Sequence, residues 1–102
     1  MTNDDLRKTL AEYYDEETLN EIVLFENPDY ADAVIGISHD DRLVYSYDKM
    51  IEHLMRVDGM TEEEAADFIS YDTMRALAYN VCSGAYGDKT PIVMYDLGIE
   101  KN

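Results

Sequence analysis

The strongest constraint on how this chain can fold is its charge: 23 acidic side chains face eight basic ones, and the formal net charge is −15 in 102 residues. Repulsion among so many like charges opposes a compact state, so the fold must bury enough apolar surface to offset it. The chain has that surface, because 46% of its residues are hydrophobic and nine are tyrosines. These proportions differ from those of disordered acidic tails and predict a single domain over residues 1–102.

The acidic residues are unevenly distributed along the chain. Residues 1–32 hold ten acids and two bases, a net of −8, and residues 57–74 hold six acids and no base. Such a run produces a local negative field rather than a mixed surface. Anionic membranes and nucleic acids should be repelled, whereas a basic protein should be attracted. We therefore expect no membrane partner, no direct nucleic-acid partner and a cationic protein partner.

Cysteine usage and the N-terminal residues favour a cytoplasmic protein. Cys82 is the single cysteine and cannot form an internal disulfide, which fits a reducing compartment. The first ten residues lack the basic and apolar regions of a secretion signal. No apolar run approaches the roughly 20 residues that a membrane-spanning helix needs.

Capping signals and apolar spacing predict four helices. Residues 2–5 can cap a first helix, and Asp15 can cap a second one that ends before Pro28. Asp48 can cap a third helix, which would bury Met50, Ile51, Leu54 and Met55 and expose Lys49, Glu52, His53 and Arg56. Gly59 suits the left-handed position that ends this helix. Thr61-x-x-Glu64 is a capping box for a fourth helix over about residues 62–77.

The remaining apolar segments predict three strands. Residues 33–37 and 42–47 flank a turn and should form a hairpin, with Leu43, Tyr45 and Tyr47 on one face. Residues 91–95 would form the last strand, after a loop over 84–88. The order αα-β-β-α-α-β predicts an α+β fold, with a small antiparallel three-stranded sheet packed against helices. Residues 1–26 would be a helical addition to a core over 32–97.

No group of residues predicts catalysis. His39, Asp40 and Asp41 could belong to a divalent-metal site, but a polar turn accounts for these residue types better. Cys82 with His39 or His53 could form a nucleophile–base pair, but nothing orients a third member. A lone cysteine is more typical of a small buried hydrophobic residue. We expect no enzyme, no cofactor and no bound metal.

Tyrosine and acidic residues together predict an interaction surface. Tyrosine combines a rigid apolar area with a polar tip and is enriched at interfaces. Beside carboxylates it suits Arg and Lys, through cation–π contacts and charge-assisted hydrogen bonds. An acidic face that serves only solubility is an equally weighted alternative. The residues expected to contact a partner are Asp40, Asp41, Asp58, Glu62, Glu63, Asp67, Tyr71 and Asp72.

Three segments carry a pattern found in other proteins: Ala33–Met55 (AVIGISHDDRLVYSYDKMIEHLM), Gly59–Ile69 (GMTEEEAADFI) and Pro91–Tyr95 (PIVMY). Over residues 32–95 the chain resembles a family of small uncharacterised proteins from phages, prophages and mobile elements of Firmicutes. This resemblance implies a compact α+β domain and a mobile-element setting in a bacterial host. In length, acidity and tyrosine content the chain is also similar to anti-CRISPR proteins and other DNA-mimic inhibitors.

The likeness to DNA mimics implies an inhibitor whose acidic face occupies the cationic groove of a basic nucleic-acid-binding protein, such as a CRISPR effector nuclease. Carboxylates on a helix and a hairpin can imitate the spacing of phosphates, and a basic groove exchanges one polyanion for another at little cost. The alternative is a self-associating structural or regulatory domain whose Tyr and Met surface forms a homodimer. A third hypothesis is a small enzyme or metal site at residues 39–41.

Overall fold

A computed structural model describes residues 1–83 and 89–97, which form helices and one three-stranded sheet. In chain order the elements are α1 (Asn3–Leu10), α2 (Glu16–Glu21), a 3₁₀ turn (Ala31–Ala33), β1 (Val34–Ile37), β2 (Leu43–Ser46), α3 (Tyr47–Asp58), α4 (Glu62–Phe68), a π-helical turn (Ile69–Thr73), α5 (Met74–Ser83) and β3 (Ile92–Met94). The α+β class and the predicted order of helices and strands are confirmed. The loop predicted over 84–88 and the side chain of Cys82 lie outside the described residues.

The sheet has the order β1-β2-β3, and its two pairings differ in direction. β1 and β2 form the predicted antiparallel hairpin, with Ile37 opposite Leu43. β3 runs parallel to β2, with Val93 opposite Tyr45, so the prediction of a wholly antiparallel sheet is wrong. The parallel direction results from the connection between β2 and β3. Helices α3, α4 and α5 return the chain to the end of the sheet at which β2 begins. A long helical crossover of this kind is what a parallel pair requires.

Short-range capping interactions set the predicted helix ends. Thr2 caps α1 in a capping box, in which the Asp5 N–H donates to Thr2 Oγ1 at 3.3 Å and the Thr2 N–H donates to Asp5 Oδ2 at 3.1 Å. The same reciprocal pair links Thr61 and Glu64 at the start of α4. Gly59 follows α3 with a φ of 68°, a left-handed conformation in which a Cβ would be strained.

The start of α3 differs from the prediction. Ser46 caps this helix instead of Asp48, and its Oγ accepts a hydrogen bond from the Lys49 N–H at 3.3 Å. Tyr47 is therefore the first helical residue rather than part of the strand face. The reason is that β2 passes directly into α3, and the extended backbone of its last residue (φ −84°, ψ 122°) already has N-cap geometry.

The buried face of α3 also differs from the prediction. His53 is only 9% exposed and Met55 is 41% exposed, so the assignment of these two side chains was wrong. α3 packs on the 3₁₀ turn, where the His53 ring centroid lies 5.6 Å from that of Tyr30. His53 Nδ1 lies 3.5 Å from Asp32 Oδ2. Nδ1 forms no hydrogen bond at this distance, so packing of the ring on Tyr30 accounts for the burial of a side chain that apolar spacing alone assigns to solvent.

The fourth predicted helix is longer than expected and contains an irregular turn. Helical backbone continues from Glu62 to Ser83, and residues Ile69–Thr73 within it adopt π-helical hydrogen bonding. A π turn places an extra residue in one turn and so changes which residues of the following helix face the core. Ile69 and Thr73, the two ends of this turn, are both buried. Apolar spacing predicts the helix but carries no sign of the π turn.

One hydrophobic core connects the N-terminal residues with the sheet and α3. Leu6 and Phe25 belong to the same buried cluster as Tyr45 and Leu54. The Phe25 N–H donates to Tyr45 Oη at 3.1 Å, and burial raises the pKa of this tyrosine to about 12. Residues 1–26 therefore share a core with the unit predicted over 32–97.

Candidate interaction surface

α4 exposes its acidic residues because its opposite side is anchored in the core. Ala65 and the residue that follows α4, Ile69, are fully buried. Glu62, Glu63 and Asp67 project from the rest of the helix surface and are exposed. The glutamates of the first turn also interact favourably with the positive end of the helix dipole. Packing of the opposite side of α4 and interaction with the helix dipole thus both favour these exposed positions for the carboxylates.

A shallow hollow of about 340 Å³, which we call the acidic depression, lies beside the end of α4. It is lined by Met60, Glu64, Asp67, Phe68, Tyr71 and Asp72. Three predicted contact residues, Asp67, Tyr71 and Asp72, meet here. No lining residue is basic, and within residues 1–83 and 89–97 neither Asp67 nor Asp72 forms an ion pair.

The residues of the acidic depression suit a cationic side chain. Carboxylates accept charge-assisted hydrogen bonds from guanidinium and ammonium groups. Tyr71 is 66% exposed and the nearby Phe68 is half-buried, so aromatic faces lie next to the carboxylates. A cation placed over such a ring gains further electrostatic attraction. The depression therefore combines the two kinds of group that bind Arg and Lys.

A second cleft of about 370 Å³ lies between α3 and α4. Its lining residues are Tyr47, Asp48, Ile51, Glu52, Met55, Glu62 and Ala66. Only Glu62 was among the predicted contact residues. Asp48 and Glu52 could have been found from their spacing of four residues, which places both on one side of a helix. Burial and then the neighbouring Tyr95, whose ring centroid is 4.8 Å away, raise the pKa of Tyr47.

Two further predicted residues border this region without sharing its hollows. Glu63 is exposed on α4, four residues before Asp67, and extends the negative surface toward the start of the helix. Asp58 is the last residue of α3 and borders another hollow of about 490 Å³, whose walls include Asp32 and His53. Six of the eight predicted residues thus lie between the end of α3 and the π turn.

The other two predicted residues lie at the β1–β2 turn and have partners within the fold. Asp40 Oδ2 lies 3.8 Å from Arg42 Nη1, and Asp41 Oδ2 lies 3.6 Å from Lys89 Nζ. Ser38 Oγ donates a hydrogen bond to Asp40, and this bond is the main cause of a lowered Asp40 pKa. Asp41 has a φ of 62°, a left-handed turn conformation that aspartate tolerates. These carboxylates are turn residues whose charge is partly neutralised.

Asp32 is the centre of a charge cluster that sequence reasoning missed. Its Oδ1 accepts a hydrogen bond from the Met1 ammonium at 2.9 Å, and its Oδ2 accepts one from Arg56 Nη2 at 2.6 Å. The bond from the ammonium, followed by that from Arg56, lowers the pKa of Asp32 to about 2 despite partial burial. No local spacing connects these residues, because 24 positions separate Asp32 from Arg56. The cluster ties the 3₁₀ turn to α3.

A groove of about 530 Å³, which we call the apolar groove, separates residues 22–28 from the α4–α5 run. Its walls include Ile22, Leu24, Phe25, Phe68 and Leu77. Phe68 and Asp72 line both this groove and the acidic depression, so the two hollows adjoin. Sequence reasoning missed the groove because residues 22–28 are neither helix nor strand. Their irregular backbone leaves no periodic pattern from which facing could be predicted.

Comparison of the chain with protein-family models, curated proteins and solved structures found no match. The likeness to phage and prophage proteins and the expectation of a non-enzymatic role therefore stay predictions. Among the side chains that the structure describes, no three from His, Cys, Asp or Glu are grouped closely enough to hold a metal ion. In the same part of the chain, no helix has the length and apolar content to cross a membrane.

Proposed function

We propose that this protein is an acidic interaction and inhibitor protein of mobile-element origin that acts in the cytoplasm of a bacterial host. Its acidic depression and the adjoining surface of α4 occupy the cationic nucleic-acid-binding groove of a partner, such as a CRISPR effector nuclease, in place of DNA. The observation that carries this proposal is an unpaired acidic surface. Within residues 1–83 and 89–97, Glu63, Asp67 and Asp72 form no ion pair.

A cationic partner can bind an unpaired carboxylate without first displacing a cation of the same protein. Lys and Arg side chains of a nucleic-acid-binding groove bind DNA by neutralising its phosphates. An acidic protein surface presents carboxylates to the same side chains in place of phosphates. Electrostatic attraction also speeds association, and salt weakens it because the Debye length is only about 8 Å at physiological ionic strength.

Internal charge pairing on the hairpin supports a contact on α4 rather than on the hairpin. Arg42 and Lys89 already face Asp40 and Asp41, so binding of a partner there would first displace these internal cations. The acidic depression needs no such exchange, since its six lining residues include no base. We therefore expect Asp67, Tyr71 and Asp72 to contribute more than the two turn aspartates.

The test is displacement of labelled duplex DNA from a purified, guide-loaded CRISPR nuclease, followed by fluorescence anisotropy at about 50 and about 200 mM salt. The informative variant is Glu63→Gln/Asp67→Asn/Asp72→Asn. Its matched control, Glu12→Gln/Glu16→Gln/Glu17→Gln, removes the same number of charges from exposed sites around α2. We expect the first variant to compete about tenfold less well and the control to stay near wild type.

Two results would contradict the proposal in this assay. The first is an absence of competition at the lower salt concentration. The second is an equal loss in both triple variants, because that would mean that net charge acts without a defined site. A competing protein whose affinity does not change between the two salt concentrations would contradict the electrostatic basis of binding.

Self-association is a second candidate function, favoured by apolar exposure on α3. Met55 is 41% exposed and lines the cleft between α3 and α4 together with Ile51 and Tyr47. Apolar side chains grouped on a surface are typical of an interface. Light scattering coupled to size exclusion distinguishes the candidates: a stable dimer that Met55→Asp dissociates would support this function.

A further inference from the structure

The irregular segment beside the apolar groove has backbone groups that the fold leaves without partners. Ile22 has an extended backbone (φ −72°, ψ 124°), and the next three residues belong to no helix or strand. Phe25 is fully engaged, because its N–H donates to Tyr45 Oη and its carbonyl accepts from Asn3 Nδ2 at 2.8 Å. The backbones of Val23 and Leu24 form no hydrogen bond with any residue in 1–83 or 89–97.

The floor of the apolar groove is held together by contacts between buried side chains. The side-chain oxygens of Tyr30 and Thr73 are hydrogen-bonded to each other at 3.0 Å. The ring of Phe25 packs edge-on against Tyr30 at a centroid distance of 5.9 Å. These two side-chain oxygens are thus paired with each other, and the apolar side chains of Ile22, Leu24 and Leu77 line the groove beside them. A volume of about 530 Å³ is also within the range of established ligand sites.

Where the apolar groove meets the acidic depression, the unpaired charge is negative. Arg7 is the only base among the lining residues, and its Nη2 lies 3.1 Å from Glu26 Oε1 within the same lining. Asp72, at the boundary with the acidic depression, has no ion pair in the described part of the chain. A ligand that leaves the groove across Phe68 therefore enters a surface of unpaired carboxylates. Charge complementarity requires that this end of the ligand be basic.

We propose that the apolar groove binds an extended peptide segment of a partner protein, in which apolar side chains adjoin a run of Lys or Arg. The apolar part lies between residues 22–28 and the α4–α5 run, and its backbone pairs with the free N–H and C=O groups of Val23 or of Leu24, because neighbouring residues of an extended segment direct these groups to opposite sides. The basic part crosses Phe68 and meets Asp72 and the acidic depression. Addition of a strand to exposed backbone, with pockets for its side chains, is a recurrent mode of peptide recognition. This inference goes beyond the proposed function, because the segment need not come from a nucleic-acid-binding protein.

The probe is a fluorescein-labelled peptide, Leu-Ser-Val-Ser-Leu-Lys-Arg-Lys, together with the reversed sequence, because the geometry does not require one chain direction. Two control peptides replace either all basic residues by Glu or all apolar residues by Ser. Fluorescence polarisation should show that one or both probes bind the full chain at least about tenfold more tightly than either control. Similar binding of all the peptides, or of none, would overturn the inference.

Matched variants locate the binding. Val23→Arg places a long cation in the groove and should weaken the probe about tenfold or more, whereas Val57→Arg puts the same side chain on α3 and should not. Asp72→Asn should weaken binding of the probe several-fold, because its basic part loses a carboxylate, and should not weaken binding of the Glu control peptide. NMR of the wild-type chain gives an independent measurement: the amides of Val23 and Leu24 should shift when the probe is bound, and one of them should exchange more slowly.

The results separate this inference from the proposed function. If the probe binds through Val23 while DNA is not displaced from the nuclease, the groove is a peptide site and the proposed function fails. If DNA is displaced but the probe neither binds nor shifts the amides of Val23 and Leu24, the inference of a peptide site is wrong. Probe binding that Val23→Arg and Val57→Arg reduce equally would also overturn it.

Discussion

Tyr30 and Thr73 are 43 positions apart in the chain, yet their side-chain oxygens lie 3.0 Å apart in the core and share a hydrogen bond. Tyr30 precedes the 3₁₀ turn that leads into β1, and Thr73 ends the π turn after α4. Both side chains are buried. The pair therefore connects the entry to the sheet with the irregular point of the long helical run, directly below the apolar groove.

This pair should show strong coupling in a double-mutant cycle. Tyr30→Phe and Thr73→Val each leave one buried hydroxyl without a partner and should each lower the free energy of unfolding by about 1–3 kcal/mol. The double variant removes both hydroxyls, so its loss should be smaller than the sum by about 1 kcal/mol. Urea denaturation monitored by circular dichroism measures these values. Strictly additive losses would show that the hydrogen bond does not contribute to stability.

The Asp32 cluster should make stability depend on acid pH. The folded-state pKa of Asp32 is about 2, below its usual 3.8, so the stabilisation is complete above pH 3.8 and is lost as pH falls toward 2. Asp32→Asn should lower the free energy of unfolding by about 1 kcal/mol at neutral pH, a modest value because the side chain is partly exposed. Its difference from wild type should shrink between pH 3.8 and 2. A difference that does not change with pH would contradict this prediction, and Asp48→Asn is the exposed control.

Tyr45 should limit stability at alkaline pH. Burial raises its folded-state pKa to about 12 from an ordinary 10.0, so its contribution is complete below pH 10 and is lost as pH rises toward 12. We expect the free energy of unfolding to fall by about 2 kcal/mol over that range from this group. Tyr45→Phe should be less stable at neutral pH, because the Phe25 N–H loses its acceptor, but its alkaline slope should be shallower. An unchanged slope would argue against ionisation of this residue.

The capping box should stabilise the start of α4. Thr61→Ala removes the acceptor of the Glu64 N–H and should cost about 1 kcal/mol. Thr61→Ser keeps a hydroxyl and should be nearly neutral. Thermal unfolding of the two variants measures the difference. Equal melting temperatures would show that the helix start is held by packing of Ala65 alone.

Tyr71 should contribute to partner binding without contributing to stability. Its side chain is 66% exposed at the acidic depression, whereas Tyr13 is 77% exposed after α1 and serves as the matched control. Tyr71→Ala should weaken competition with DNA for the basic partner about tenfold, a value typical of an aromatic interface residue. Tyr13→Ala should have no such effect. Both variants should keep the wild-type melting temperature, and a binding loss shared by both would remove Tyr71 from the site.

Prediction from sequence succeeded where the interacting groups are close along the chain. The Thr61–Glu64 capping box spans three residues, and Gly59 acts within a single turn. Prediction failed where contacts between residues that are distant in the chain determine the structure. Apolar spacing assigns His53 to solvent, because periodicity cannot register the packing of its ring on Tyr30 from a distant part of the chain. The candidate site was predicted in part for the same reason: the acids of α4 share one helix, but the apolar groove beside them depends on residues 22–28.

The sequence by itself determined the α+β class, the order of the elements, the helix ends at Thr2, Gly59 and Thr61, and the negative surface of α4. These features follow from interactions within a few residues and from composition. Only the tertiary structure decided the parallel direction of β3, the buried face of α3, the π turn and the junction between the apolar groove and the acidic depression. Each of these depends on contacts between segments that are 20 or more positions apart, such as Tyr45 with Phe25. The charge of −15 constrained the fold as a total, whereas packing decided that Asp32 forms ion pairs within the fold and that Asp67 and Asp72 form none within the described part of the chain.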